Sequence, residues 1–82
     1  MPYIPKSDRR RLWCDDADPA CNVGELTFVL YKTCLEYLDM SGGRYCDYAE
    51  CLAALEGAKL EFYRRHVAPY EDKKIAENGD VT

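Results

Sequence analysis

The sequence has a single histidine, a single tryptophan and no long apolar run. Its apolar runs end within a few residues, as at Phe28–Tyr31, whereas a membrane-spanning helix needs about 20 apolar residues. With His66 as the one histidine, the sequence cannot supply the two or more histidines of a histidine-based metal site, and it has little material for histidine acid–base catalysis. No glycine-rich phosphate loop precedes a helix, because Ser41-Gly42-Gly43 follows one. We therefore expect no membrane span, no metal or other cofactor, and no enzymatic activity.

Acidic residues outnumber basic residues by 15 to 11, and the net charge is −4. This excess argues against general binding to nucleic acids or to anionic membranes. A composition of 48% hydrophobic and 32% charged residues is typical of a globular protein, and 82 residues correspond to one domain, 1–82. Pro2, Pro5 and early charges stand where a secretory signal would carry an apolar core. These features predict a cytoplasmic protein.

Five cysteines are many for this length, and their number is odd. Secreted disulfide-linked domains usually have an even number, so we expect a reducing compartment and mostly reduced thiols. Cys34 and Cys51 lie at helical core spacing. Cys14 and Cys21 have six residues between them, more than structural zinc ligands have, and Cys46–Cys51 has no second pair of that spacing and no nearby histidine, so we expect no zinc site. The sequence does not decide whether Cys14 and Cys21 form a disulfide.

Apolar periodicity predicts two long helices, over residues 23–40 and 48–67. Asn22 and Asp47 are each followed at the third position by glutamate, which predicts that both residues are N-caps. The stretch Ser41-Gly42-Gly43 ends the first long helix near Met40 and provides the positive φ values that a tight reversal needs. The sequence therefore predicts an all-α fold in which the long helices form an antiparallel hairpin.

The terminal segments predict short helices. Residues 1–22 form an N-terminal arm, in which Ser7 caps a helix over Asp8–Trp13. Pro69 lacks an amide proton and clashes with the preceding helical turn, so the long helix should end or kink near Val67. Pro69 then begins a short C-terminal helix over residues 69–77.

The long helices carry more apolar surface than one hairpin can cover. A chain of this size buries only about 60–65% of its unfolded surface. The mid-helix Gly57 is explained by a close crossing with another helix. We therefore predict a homo-oligomer, most simply a dimer with a four-helix arrangement. The expected interface contains Leu30, Tyr37, Leu55 and Phe62.

A polar cluster surrounds Pro69 and is the predicted binding site for a partner or a ligand. The planar guanidinium group of arginine can donate two parallel hydrogen bonds to a carboxylate or a phosphate, and tyrosine rings are common at interfaces. The alternative is a solvated surface with internal ion pairs, such as Arg64 with Glu61 or Glu71. A second basic run, Arg9–Arg11, either binds phosphate or is screened by nearby aspartates. Trp13 anchors that segment. The predicted cluster consists of Tyr63, Arg64, Arg65, Tyr70, Lys73 and Lys74.

Several stretches resemble a family of small proteins of unknown function from bacteria and tailed bacteriophages. They are MPYIPK, Gly24-Glu25-Leu26, Glu36-Tyr37-Leu38, AALEGAKLEFYRR and APYEDKKIAENGDV. The resemblance covers nearly the whole chain and is strongest over residues 53–81. It implies an accessory protein in a bacterial cell, one that blocks a host defence, and it supplies no catalytic residues.

The leading functional hypothesis is a non-catalytic binding protein. It would act on a host protein or sequester a small anionic, nucleotide-like ligand. The alternatives are a purely structural assembly protein and, third, a cysteine-dependent redox protein.

Overall fold

The computed structural model describes residues 2–14 and 19–82, and within them the fold is all-α, with no strand. No helix there is both long enough and apolar enough to cross a membrane. The chain divides into two compact units, Met1–Tyr48 and Ala49–Thr82. The helical elements are α1 (Lys6–Cys14), α2 (Val23–Ser41), α3 (Tyr45–Phe62), a π-helical segment (Tyr63–Val67) and α4 (Ala68–Asn78).

The first unit is built on the contact between α1 and α2. Leu12 of α1 is 2% exposed and Phe28 of α2 is 6% exposed. The Trp13 ring lies against Phe28, with 6.2 Å between ring centroids and 51° between ring planes. Helix α1 thus covers the face of α2 that carries Phe28 and leaves other apolar side chains of α2, such as Leu26 and Leu30, exposed.

Two buried charged side chains of α2 hold α1 in place. The Glu25 carboxylate accepts from the Arg11 guanidinium at 2.8 Å and from the Cys21 amide at 3.1 Å. The Lys32 ammonium donates to the backbone carbonyl of Leu12 at 3.0 Å. That carbonyl lies in the last turn of α1, where a cation complements the negative end of the helix dipole. Helix docking here therefore depends on charge pairing as well as on apolar contact.

Both ends of α2 follow the sequence prediction. The Asn22 side chain accepts from the Glu25 amide at 2.9 Å, which confirms Asn22 as the N-cap. Gly42, at φ 103°, ends the helix by donating its amide to the Leu38 carbonyl. The helix predicted over Asp8–Trp13 is present, but its predicted start was wrong, because α1 begins at Lys6. Ser7 therefore lies inside the helix and does not cap it.

The start of α3 also differs from the prediction. The helix begins at Tyr45, so Asp47 lies in its first turn and is not the N-cap. Asp47 instead accepts from the Arg44 amide at 2.9 Å, the reciprocal half of a capping box. The same carboxylate receives the Arg44 guanidinium at 3.3 Å. Asp47 is 1% exposed, and the hydrogen bond from the Arg44 amide holds its pKa below the usual 3.8.

The α-helix of the second unit ends before Pro69: α3 ends at Phe62, the π-helical segment ends at Val67, and α4 begins at Ala68 without a non-helical residue between them. Ala68 keeps α-helical angles, and its amide donates to the Tyr63 carbonyl, five residues back. A π turn of this kind changes the hydrogen-bond register just before the proline. Pro69 therefore sits in the first turn of α4, where its missing amide proton breaks no α-helical hydrogen bond.

Gly57 does not mark a helix crossing within the described residues, because a Cβ atom built there meets no atom within 4 Å. A close crossing at Gly57 with a helix of a second copy stays a prediction. The antiparallel pairing of the two long helices stays a prediction.

Candidate functional site

The predicted binding cluster lies on the π-helical segment and on α4, and Tyr63, Tyr70 and Lys74 make contacts along the helix. The Tyr63 hydroxyl donates to the Glu71 carboxylate, a contact that joins the residues on either side of Pro69. The hydrogen bond to Glu71 raises the pKa of the Tyr63 phenol, because it stabilises the protonated form, and the negative charge of Glu71 adds to this by disfavouring a phenolate. The Lys74 ammonium lies 5.5 Å from the centroid of the Tyr70 ring.

Both arginines of the cluster pair with one carboxylate, that of Glu61. Arg64 contacts it at 2.6 Å, and the Arg65 guanidinium shares the same oxygen. The arginine hydrogen bonds, that from Arg65 first, hold the pKa of Glu61 below its usual 4.5. The ion-pair alternative weighed from the sequence is therefore present for Arg64. The negative charge of Glu61 offsets part of the positive charge of these two arginines, so the cluster attracts an anionic partner less strongly than the arginines alone would.

A groove of about 530 Å³ runs along α4 to the C-terminal residues. It contains Tyr63 and Lys74 of the predicted cluster, but not Arg64 or Arg65. Carboxylates outnumber ammonium groups along its walls, so the groove is a poor match for an anionic ligand. Lys73 is exposed, and no carboxylate among residues 2–14 and 19–82 pairs with it. The charged side chains that line the groove are Glu71, Asp72, Lys74 and Asp80.

The residues predicted for an oligomer interface all lie at the surface. Leu30, Tyr37 and Leu55 are 46%, 45% and 38% exposed, and Phe62 is 62% exposed. In residues 49–82, all of which the structure describes, Cys51 is the only residue whose side chain is buried. The helix of this unit therefore presents most of its large apolar side chains to solvent. They are Leu52, Leu55, Leu60, Phe62, Tyr63, Tyr70 and Ile75.

The structure also forms a basic and aromatic groove on α1, which we call the α1 groove. It has a volume of about 420 Å³ and is lined by Lys6, Arg9, Arg10, Trp13 and Phe28. Sequence reasoning identified the arginine run and the tryptophan but did not bring them together. The helical spacing of residues 6, 9, 10 and 13 was the available signal, because side chains three and four apart share a face.

The cysteines occupy different environments. Cys14, Cys21 and Cys46 are exposed, whereas Cys51 is buried. No three metal-binding side chains converge within the described ranges 2–14 and 19–82. The histidine, His66, lies with its ring 5.2 Å from that of Phe62. The expectations about zinc and about a Cys14–Cys21 disulfide stay predictions, since part of the intervening segment lies outside the described residues.

Comparison with known proteins identifies a family but no activity. Residues 1–81 match a domain of unknown function, DUF6899. No curated protein and no solved structure matches the chain. Since the match covers nearly the whole sequence, the chain belongs to the DUF6899 family.

Proposed function

We propose that this chain is a non-catalytic binding protein that self-associates through the helix of its second unit. The observation that carries the proposal is the exposed apolar face of residues 49–78. At about 1.5 Å per residue, this helical stretch is roughly 45 Å long. Isolated helices are marginal in water, and their stability in proteins comes mainly from packing of an apolar face. The helix therefore requires a partner surface.

The charges of this helix support an apolar contact over an ionic one. Glu61 is paired with Arg64 and Arg65, and Glu71 with Tyr63, so these polar groups satisfy one another within the helix. What remains for a partner is the apolar stripe. Leu55 and Phe62 are seven residues apart, the spacing that repeats along one seam of paired helices.

A second copy of the chain is the partner that this stripe fits. Two identical stripes are complementary under two-fold symmetry, which is the commonest assembly of soluble proteins. The first unit offers a similar pair in Leu30 and Tyr37, also seven residues apart and exposed. A dimer that buries both pairs would form the four-helix arrangement expected from the sequence. An accessory role in a bacterial cell, on a host protein, rests on the family resemblance.

The test replaces apolar residues of the stripe by aspartate. Leu55→Asp and Phe62→Asp should each weaken self-association by about thirtyfold or more, because a central interface residue contributes about 2 kcal/mol or more. Ala53→Asp is the matched control. Ala53 is exposed and lies about 160° around the helix from Leu55. Size-exclusion chromatography with light scattering gives the mass of each variant. Equal association of all three variants would refute the proposal.

A further inference from the structure

Helix α1 concentrates positive charge on a protein that is acidic as a whole. Its sequence, KSDRRRLWC, holds four basic side chains and one acidic side chain, a local charge of +3. Arg11 is occupied by Asp8 and Glu25. The other three, Lys6, Arg9 and Arg10, have no carboxylate partner among residues 2–14 and 19–82. Within the described residues, no carboxylate neutralises these three cations of the α1 groove, and the aspartates named as possible screening groups, Asp15, Asp16 and Asp18, lie outside the described residues.

The Arg9 side chain has a buried donor atom that lacks a hydrogen-bond acceptor. Its Nε atom is closed off from solvent, and no acceptor in the described part of the chain receives its hydrogen bond. A buried donor without an acceptor is unfavourable, and a new acceptor removes that penalty. Arg9 also lines both the α1 groove and a cavity of about 210 Å³ that shares its Phe28 wall. Phosphate oxygens match the planar guanidinium fork well.

Aromatic rings lie directly beside these cations. Trp13 is 47% exposed and rests against Phe28 with its ring tilted by 51°. Tyr3 and Tyr31, both exposed, line the smaller cavity. An exposed indole supported from one side can stack against a planar heterocycle, as aromatic side chains do in proteins that bind single-stranded nucleic acids. The α1 groove therefore offers positive charge and a stacking surface side by side.

We propose that the α1 groove binds a mononucleotide, with its phosphates on Lys6, Arg9 and Arg10 and its base against Trp13. The groove volume of about 420 Å³ falls in the range of small-molecule sites. Charge complementarity favours this site over the groove of α4, where carboxylates predominate. The site lies wholly within the first unit, so the proposal does not depend on self-association through residues 49–78.

Ligand binding at this site can be followed by tryptophan fluorescence, because Trp13 is the only tryptophan of the sequence. The wild-type chain is titrated with ADP, with inorganic pyrophosphate and with adenosine, while tryptophan fluorescence is recorded with correction for absorption by the ligand. ADP should quench Trp13 saturably, with a Kd at least about tenfold below those of the other two probes, because only ADP joins phosphate and base. No saturable response to ADP would overturn the proposal. Binding of pyrophosphate or of adenosine as tight as that of ADP would also overturn it.

Charge-removing variants locate the site. Arg9→Gln and Arg10→Gln should each raise the Kd for ADP by about tenfold or more, through loss of a charged hydrogen bond. Arg10 is exposed, so its variant keeps the fold even if the half-buried Arg9 contributes to folding. Lys59→Gln is the control, since it removes one exposed positive charge from the second unit. Equal effects of Arg10→Gln and Lys59→Gln would place ADP elsewhere and overturn the proposal.

Discussion

Replacing Leu12 by alanine should detach α1 from α2. Leu12 is 2% exposed and is the one buried residue of α1. Truncation of a buried leucine to alanine costs about 2–5 kcal/mol, from lost transfer free energy and from the cavity left behind. The contacts of Glu25 and Lys32 with α1 and the contact of Trp13 with Phe28 also oppose undocking. A loss of about 3 kcal/mol is more than a hundredfold in the docking equilibrium.

The assay again uses Trp13, which lies against Phe28 when α1 is docked. Undocking should shift its emission to the red and lower the urea midpoint of the fluorescence transition. Met40→Ala, on the same α2, is the control, because Met40 is 90% exposed and exposed substitutions stay within about 0.5 kcal/mol. If Leu12→Ala and Met40→Ala give the same emission and the same midpoint, α1 does not depend on this contact and the reasoning is refuted.

Three further substitutions, at Lys32, Gly57 and Asp47, should change the stability of the fold. Lys32→Met removes the donor to the Leu12 carbonyl but keeps the apolar stem, so urea unfolding should show a loss of about 1–2 kcal/mol; an unchanged midpoint would contradict this. Gly57→Ala should raise the free energy of unfolding by about 0.5–1 kcal/mol, because the added methyl meets open space, and a lower melting temperature would indicate a neighbour at Gly57. The lowered pKa of Asp47 means that its carboxylate stabilises the fold above its usual pKa of 3.8, and that this contribution is lost as the pH falls through the folded-state value. Asp47→Asn should therefore be less stable than wild type at neutral pH and lose less stability on acidification, which pH-dependent circular dichroism measures.

Features set by local sequence could be predicted. The Asn22 cap and the Gly42 termination of α2 depend on backbone groups within four residues, so a short stretch of sequence contains the whole interaction. The two long apolar periodicities likewise indicated an all-α fold. Local rules failed at Asp47, since both its predicted role and its actual role satisfy capping chemistry, and only the first residue of α3 decides between them.

Features set by tertiary contact could not be predicted in the same way. Helix α1 covers the face of α2 that carries Glu25 and Lys32, and periodicity alone assigns charged residues to the surface. The π turn before Pro69 arises from hydrogen-bond register, which single-residue propensities do not describe. The cluster around Arg64 illustrates the same limit, because the sequence allowed both a binding surface and an ion pair with Glu61, and only the side-chain geometry shows the pair.

Sedimentation equilibrium of the wild-type chain tests self-association most directly. The chain has a mass of 9.4 kDa, and at micromolar concentration we predict a species of twice that mass. Leu55→Asp, measured at the same concentration, should return to the monomer mass. A wild-type protein that remains at 9.4 kDa up to high micromolar concentration would contradict the account, because the apolar face of residues 49–78 would then have no second copy to cover it.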